Sequence, residues 1–137
     1  MIQEDKELLL KDLCARLPYG VKLQNINDIE SIVKLRYIDL DDYCCEIVFY
    51  SYQGEALTIC NKSKLFRFGN ILRYKPYLFP LSNMNEEQNK ELLVILEDKS
   101  DDEFEYKVVD FYNKNHIDYR GLISKGLALD ATGLNIY

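Results

Sequence analysis

SIVKLRYIDLDDYCCEIVFYSYQGEALTICN, residues Ser31 to Asn61, is the stretch that sets the architecture. Val33, Leu35 and Tyr37 alternate with Lys34, Arg36 and Ile38, giving one apolar face and one mostly charged face, the period of a half-buried strand. Asp39, Leu40, Asp41 and Asp42 break the run, because Asp is depleted in strands and its carboxylate accepts from turn amides. The alternation resumes at Tyr43. Cys45, Ile47 and Phe49 fall on one face, and Cys44, Glu46, Val48, Tyr50 and Tyr52 on the other. Gln53-Gly54-Glu55 predicts a tight turn, and Ala56 to Cys60 a returning strand. Strands joined by turns this short must pair antiparallel, since parallel neighbours need long crossovers. The pattern therefore predicts a meander whose core face carries Val33, Leu35, Ile47 and Phe49.

On the N-terminal side, Glu4 to Leu17 predicts a helix with Leu9, Leu10, Leu13, Cys14 and Leu17 in one apolar stripe. Glu4 and Asp5 suit the positive end of its dipole and Arg16 the negative end. Pro18 stops the helix, Gly20 releases the chain into a short strand over Val21 to Leu23, and Asn25 to Glu30 is read as a polar loop. On the C-terminal side the charge changes sign. Ala56 to Asn85 has no acidic residue, and Lys62, Lys64, Arg67, Arg73 and Lys75 interleave with Phe66, Phe68, Tyr74, Tyr77 and Phe79. Gly69-Asn70 resembles a hairpin turn. Pro76 and Pro80 argue against a helix or a central strand, so Lys75 to Leu81 is expected to be an extended connector.

Asn85 with Gln88 resembles a capping box opening a helix to about Leu96 that buries Leu92, Leu93 and Leu96. After an acidic break, Asp102 with Glu105 predicts a second start, for a helix over Glu103 to about Lys114 with Phe104, Val108, Phe111 and Tyr112 on one face. Asp118 can cap a short helix from Tyr119 to Lys125, with Gly126 left-handed after it and Leu127 folding back on Leu122 or Ile123. The last ten residues show no pattern. The order predicts a single α+β domain over 1–137: an antiparallel meander sheet of about four to five strands, with N-terminal and C-terminal helices packed on one face.

Composition fits that reading. The chain has 137 residues, 47% hydrophobic and 29% charged, enough for one proper core. A net charge of −6 opposes attraction to nucleic acid or an anionic membrane. No segment has the length of a membrane span. The N-terminal residues are acidic and amphipathic, unlike a secretory signal. Cys14, Cys44, Cys45 and Cys60 form no C-x-x-C pair and there is one His, so buried free thiols in a reducing cytoplasm are expected, with no metal and no cofactor.

Three stretches, EDKELLLKDLCARLPYGV (Glu4 to Val21), KPYLFPLSNMNEEQNKE (Lys75 to Glu91) and FYNKNHIDYRGLISKGLALD (Phe111 to Asp130), together with IDLDDY (Ile38 to Tyr43), resemble a group of short, uncharacterised proteins of gut Bacteroidales and their prophage-like mobile elements. Members of that group often carry an aromatic or Trp-containing helix before the DYRGL phrase, where this chain has Asp110-Phe111-Tyr112. The segment Gly54 to Tyr74 departs most from the group. The resemblance implies a small bacterial or phage accessory protein and transfers no catalytic residue.

The chemistry-bearing residues mostly have structural readings. Asp39, Asp41 and Asp42 lack the Gly turn and distal Glu of a calcium loop and read as a solvated turn. His116, with Asp118 two residues on, is expected at a helix end, where an imidazolium favours the carbonyl dipoles. Cys44 and Cys45 neighbour Asp42 and Glu46, the wrong field for a reactive thiolate. The basic-aromatic run Lys62 to Phe79 has the residue types of a single-strand binder but sits in an acidic chain. In Asp118-Tyr119-Arg120-Gly121-Leu122, Asp118 caps, Gly121 allows close helix packing and Arg120 pairs with a carboxylate; Tyr119 and Arg120 are also residue types that anchor interfaces. Tyr119, Arg120, Tyr50 and Tyr52 are thus the candidate interaction residues, with no catalytic residue assigned. The expected function is a non-enzymatic accessory protein of a mobile element or phage with an unknown protein partner. The alternatives are an acidic inhibitor of a DNA-binding protein and a small enzyme. A monomer is expected, since exposed ion pairs between Lys62 to Lys75 and Glu97 to Glu105 are worth only about 0–1 kcal/mol each.

Overall fold

The computed structural model describes residues 3–39, 41, 44–53, 56–67, 73–98, 100 and 102–137, without the side chains of 28–31, 51–53, 56–64, 66 and 67. Helix α1 (Gln3–Arg16) leads through a 3-10 turn into β1 (Lys22–Asn25), β2 (Asp28–Asp39), β3 (Cys44–Gln53), β4 (Ala56–Arg67) and β5 (Tyr74–Pro80). Two helices follow, α2 (Glu86–Glu97) and α3 (Phe104–Lys114), and then two short strands, β6 (Ile117–Asp118) and β7 (Leu129–Asp130). The fold is α+β. Its sheet runs β4-β3-β2-β1-β5-β6, with β7 also on β5, and is antiparallel except for the pairings of β5 with β6 and β7.

The meander follows the alternation. Leu35 lies opposite Ile47 and Val33 opposite Phe49. Val33, Leu35, Cys45 and Ile47 are fully buried, while Phe49 is half-buried. On that face Leu9 and Leu13 of α1 pack with Leu23, Leu78, Leu122 and Leu127. The opposite face is covered as well. Ile32 and Tyr77 meet Ala131 and Ile136 of the closing segment, whose buried positions follow neither a strand nor a helix period and so do not show in the sequence pattern. Val48, placed by alternation on the outer face, is also buried.

One expectation changes at β1. The chain does not loop over 25–30; it turns at Ile26 and Asn27, with Asn25 paired to Asp28. The Asn25 carboxamide oxygen accepts from the Asn27 N–H at 2.9 Å, so one side chain supplies the turn that a polar run alone reads as a loop. On the next rungs, Leu23 and Gln24 pair with Val33 and Ile32.

The proline segment is an inner strand, not a connector. Ile26 N–H donates to Arg73 O, and hydrogen-bonded rungs alternate in an antiparallel pair. That places Leu23 and Pro76 on a rung that needs no N–H from Pro76 toward β1. On its other edge β5 meets β7 only from Tyr77, and Pro80 ends the strand. Each proline thus occupies a position where the missing donor costs little. Gly69 and Asn70 lie outside the described residues, and the strands on either side of them do not form a hairpin, since β4 pairs with β3 and β5 with β1.

The helices dock at the β6 end. Asn85 accepts from the Gln88 amide at 2.8 Å and Gln88 returns the bond at 3.1 Å, the reciprocal cap read from the sequence. Replacing Asn85 with Ala should lower stability by about 1 kcal/mol in chemical denaturation. The second start differs: Glu103, not Asp102, precedes α3, and its side chain makes no capping bond. Leu92, Phe111 and Ile117 form a separate small core with Met84, Ile95, Val108 and Tyr112. Leu92 is the one buried residue of α2; Leu93 and Leu96, expected inside, face solvent because the helix rests on α3 through a narrower stripe.

Candidate functional site

The densest polar arrangement lies under α1. Asp12 and Arg16, one turn apart, are both fully buried, and Arg16 Nε donates to Asp12 Oδ2 at 2.8 Å. Arg16 Nη2 donates to the Ile117 carbonyl at 2.6 Å. Arg120 Nε donates to the other Asp12 oxygen at 3.1 Å. One carboxylate therefore receives two guanidinium groups. Tyr119 packs against both, its ring centroid 5.3 Å from the Arg16 guanidinium carbon and 4.8 Å from that of Arg120. Its hydroxyl accepts from Arg120 Nη2 at 2.9 Å, and Tyr112 stacks on it at 5.3 Å.

Arg16 lies in the last turn of α1, at the negative end of the dipole as the sequence predicts, but is fully buried there. The last turn of α1 runs beneath Ile117–Asp118, so its polar side faces inward, and a buried cation requires a partner. Arg120 has the carboxylate partner the sequence predicts, supplied by Asp12 more than a hundred residues away. Tyr119 and Arg120 are both half-buried, with their polar atoms engaged inside the molecule.

Asp118 caps the turn that follows. Its two oxygens accept from the Leu122 and Ile123 amides at 2.9 and 2.8 Å. The segment makes turns and not a full helix, but its ending is the one predicted. Gly126 is left-handed at φ 74, its N–H donates to Ile123 O, and the Leu127 N–H reaches back to Leu122 O at 2.9 Å. Gly121 is also left-handed at φ 74, and a Cβ there would meet only Ser124 Oγ at 3.6 Å. Its requirement is backbone conformation, not the close helix packing expected of it.

His116 is not an imidazolium at a helix end. Its backbone is left-handed at φ 57, and its ring stacks on Tyr137 with centroids 3.6 Å apart and planes at 11°. Burial, reinforced by the positive charges of Arg16 and Lys22, holds its pKa down at about 4. Asp118 spends both oxygens on the backbone, so no His–Asp pair forms. Tyr137 is 39% exposed as a residue, yet its hydroxyl accepts from the Lys22 N–H at 2.9 Å and donates to Tyr77 O at 2.8 Å. Lys22 Nζ donates to the Ile136 carbonyl and lies 5.0 Å from the Tyr50 ring centroid. Tyr50 is thus half-buried under an ammonium group, and burial raises its pKa. Tyr52 lies opposite Leu57, and its side chain falls outside the described residues.

The His116 environment sets an acid limit. An unfolded His binds its proton near pH 6.5, whereas folded His116 does so only near pH 4. Between those values the unfolded state holds the extra proton, so this group removes stability as the pH falls through the window and adds no penalty above it. Urea midpoints measured from pH 7 to pH 4 should fall with a component approaching about 1.4 kcal/mol per pH unit. His116→Asn, which suits a left-handed backbone, should remove that component; an unchanged slope would show that His116 does not titrate as described.

The remaining candidates have structural partners. Asp39 Oδ1 accepts from the Asp41 amide and Oδ2 from the Tyr37 hydroxyl, each at 2.9 Å; Asp42 lies outside the described residues. Burial, with Cys44 next in effect, pushes the Cys45 thiol up to about 12, far from a reactive thiolate. In the basic-aromatic run, Tyr74 and Tyr77 are buried in β5, Phe79 is half-buried and Arg73 is exposed. The side chains of 62–64 and 66–67 lie outside the described residues, as does all of 68–72.

Among the described residues, five of the exposed large apolar side chains are on the helical pair. On α2, Leu93 is 56% exposed, Val94 68% and Leu96 37%; on α3, Tyr106 is 79% and Val109 40%. Leu93 and Leu96 are three residues apart and share a flank, as do Tyr106 and Val109. Between the helices a shallow cleft of about 150 Å³ is lined by Glu91, Ile95, Lys107, Asp110, Phe111 and Lys114. Lys107 and Asp110 also line a second cleft of about 250 Å³ with Glu103 and Tyr106. Sequence periodicity marks Leu92, Leu93 and Leu96 alike as apolar and does not say which of them meets α3. No family model, curated protein or solved structure matches the chain.

Proposed function

We propose that this is a non-enzymatic accessory protein of a bacterial mobile element or phage that acts by binding another protein through the outer surfaces of α2 and α3. The observation that supports this reading is the set of five large apolar side chains exposed on two adjacent helices: Leu93, Val94, Leu96, Tyr106 and Val109. Apolar side chains scattered singly over a surface need no explanation, but several on one helical hairpin favour a partner. The titratable groups of the Asp12–Arg16–Arg120 knot and the Asp118 cap serve the fold, which moves the interaction surface away from Tyr119 and Arg120. The resemblance to proteins of Bacteroidales mobile elements supports the accessory role and suggests where the partner is found.

Affinity capture from a Bacteroidales lysate tests the reading. The wild-type protein should retain a partner in fixed stoichiometry. The double variant Leu93→Ser, Leu96→Ser should lose it while remaining folded by circular dichroism, since Leu93 is 56% and Leu96 37% exposed. Equal retention by both proteins, or retention by neither, would overturn the proposal.

A further inference from the structure

We infer that the partner segment held by α2 and α3 is a cationic amphipathic helix, an inference that rests on the proposed interaction role. The distribution of charge carries it. Residues 85–114 contain ten acidic and four basic side chains, which accounts for the entire formal charge of −6; the rest of the chain is balanced. The excess is therefore confined to the helical pair and its junction, the same element that exposes Leu93, Val94, Leu96, Tyr106 and Val109.

Glu97, Asp98, Asp102, Glu103 and Glu105 are all exposed around the α2–α3 junction, and Glu86 and Glu87 are exposed in the first turn of α2, while Glu91 is paired with Lys114 at 3.0 Å. Exposed carboxylates on the same helical pair as exposed Leu, Val and Tyr match a ligand with apolar residues at helical spacing and Lys or Arg on its flanks. Its cations would relieve repulsion among the carboxylates, and its apolar stripe would cover side chains that now face water. A nucleic acid lacks both properties. A second copy of this chain would bring the same acidic surface if it met the first through α2 and α3.

The probe is a synthetic Leu/Lys amphipathic peptide, titrated by fluorescence anisotropy beside a Ser/Lys peptide of equal charge. The Leu/Lys peptide should bind at least roughly tenfold more tightly than the Ser/Lys peptide, a difference of about 1.4 kcal/mol. Its affinity should fall as salt rises from about 0.1 M to about 1 M, where the Debye length shrinks from about 10 Å to about 3 Å. Leu93→Ser with Leu96→Ser should weaken it about tenfold. Hydrogen exchange should slow within residues 86–110 and not on the sheet.

Equal binding of the two peptides would reduce the surface to charge alone and overturn the inference. Protection elsewhere, no peptide binding, or a dimer that these Leu substitutions dissolve would do the same. The two readings fail separately. Lysate capture that depends on Leu93 and Leu96 without Leu/Lys binding leaves the interaction role standing and removes the cationic partner. Lysate capture indifferent to both substitutions removes the role itself.

Discussion

Asp12→Ala should lower the unfolding free energy by about 3–5 kcal/mol. Asp12 is fully buried and its two oxygens hold Arg16 and Arg120. Removing it leaves Arg16 as a desolvated cation whose other bond is to the Ile117 carbonyl. Arg120, partly open to solvent, can turn outward and loses less. The cost therefore lies in the unpaired buried charge more than in the worth of the ion pairs themselves. Chemical denaturation of Asp12→Ala measures it. The double variant Asp12→Leu, Arg16→Met should recover most of the loss, because replacing both members of a buried pair with apolar groups is often neutral. A loss under about 1 kcal/mol in the single variant would show that water reaches Arg16.

The second large effect is at the centre of the meander. Ile47→Ala should cost about 2–5 kcal/mol. Ile47 is fully buried opposite Leu35, in the core cluster that includes Leu9 and Leu13 of α1 and Leu122 and Leu127. Phe49→Ala, at a half-buried position on the same face, should cost less. Urea midpoints of the two variants give the comparison, and equal losses would contradict the gradient of burial along β3.

What could be read from the sequence follows from the distance over which each cause acts. Val33, Leu35 and Ile47 declare their face through neighbours two residues away, and Asn85 and Gln88 through a bond spanning three. The Gly126 ending is equally local. Arg16 could not be read in the same way. Its helix position and charge suit an exposed dipole partner, and only contacts with Ile117 and Tyr119 reveal that it is inside. Pro76 is misleading for a related reason. Proline opposes strands by removing a donor, and whether that donor is needed depends on the register against β1. His116 sits in a conformation more usual for Gly or Asn, held by stacking on Tyr137, and nothing near it in sequence signals that. For the candidate surface, the acidic and apolar residues of α2 and α3 were visible, but which of the leucines face outward depends on how the helices meet.

The position of β5 has a consequence for a chain emerging from the ribosome. Strands β1 to β4 are joined by short turns and can pair with one another once residue 67 has appeared. The other edge of β1 must wait for residues 74–76, and the remaining partners of β5 are Ile117 and Leu129. Contacts of such long sequence separation form late, because the entropy of closing the loop is lost before the pairing returns it. During synthesis the nascent meander therefore presents an open β1 edge, and then an open β5 edge, to any neighbouring chain. Pro76 and Pro80 interrupt the row of donors on β5 itself. The same two residues that disguise β5 as a connector also make it a poor template for a stranger's strand during the interval before its own partners arrive.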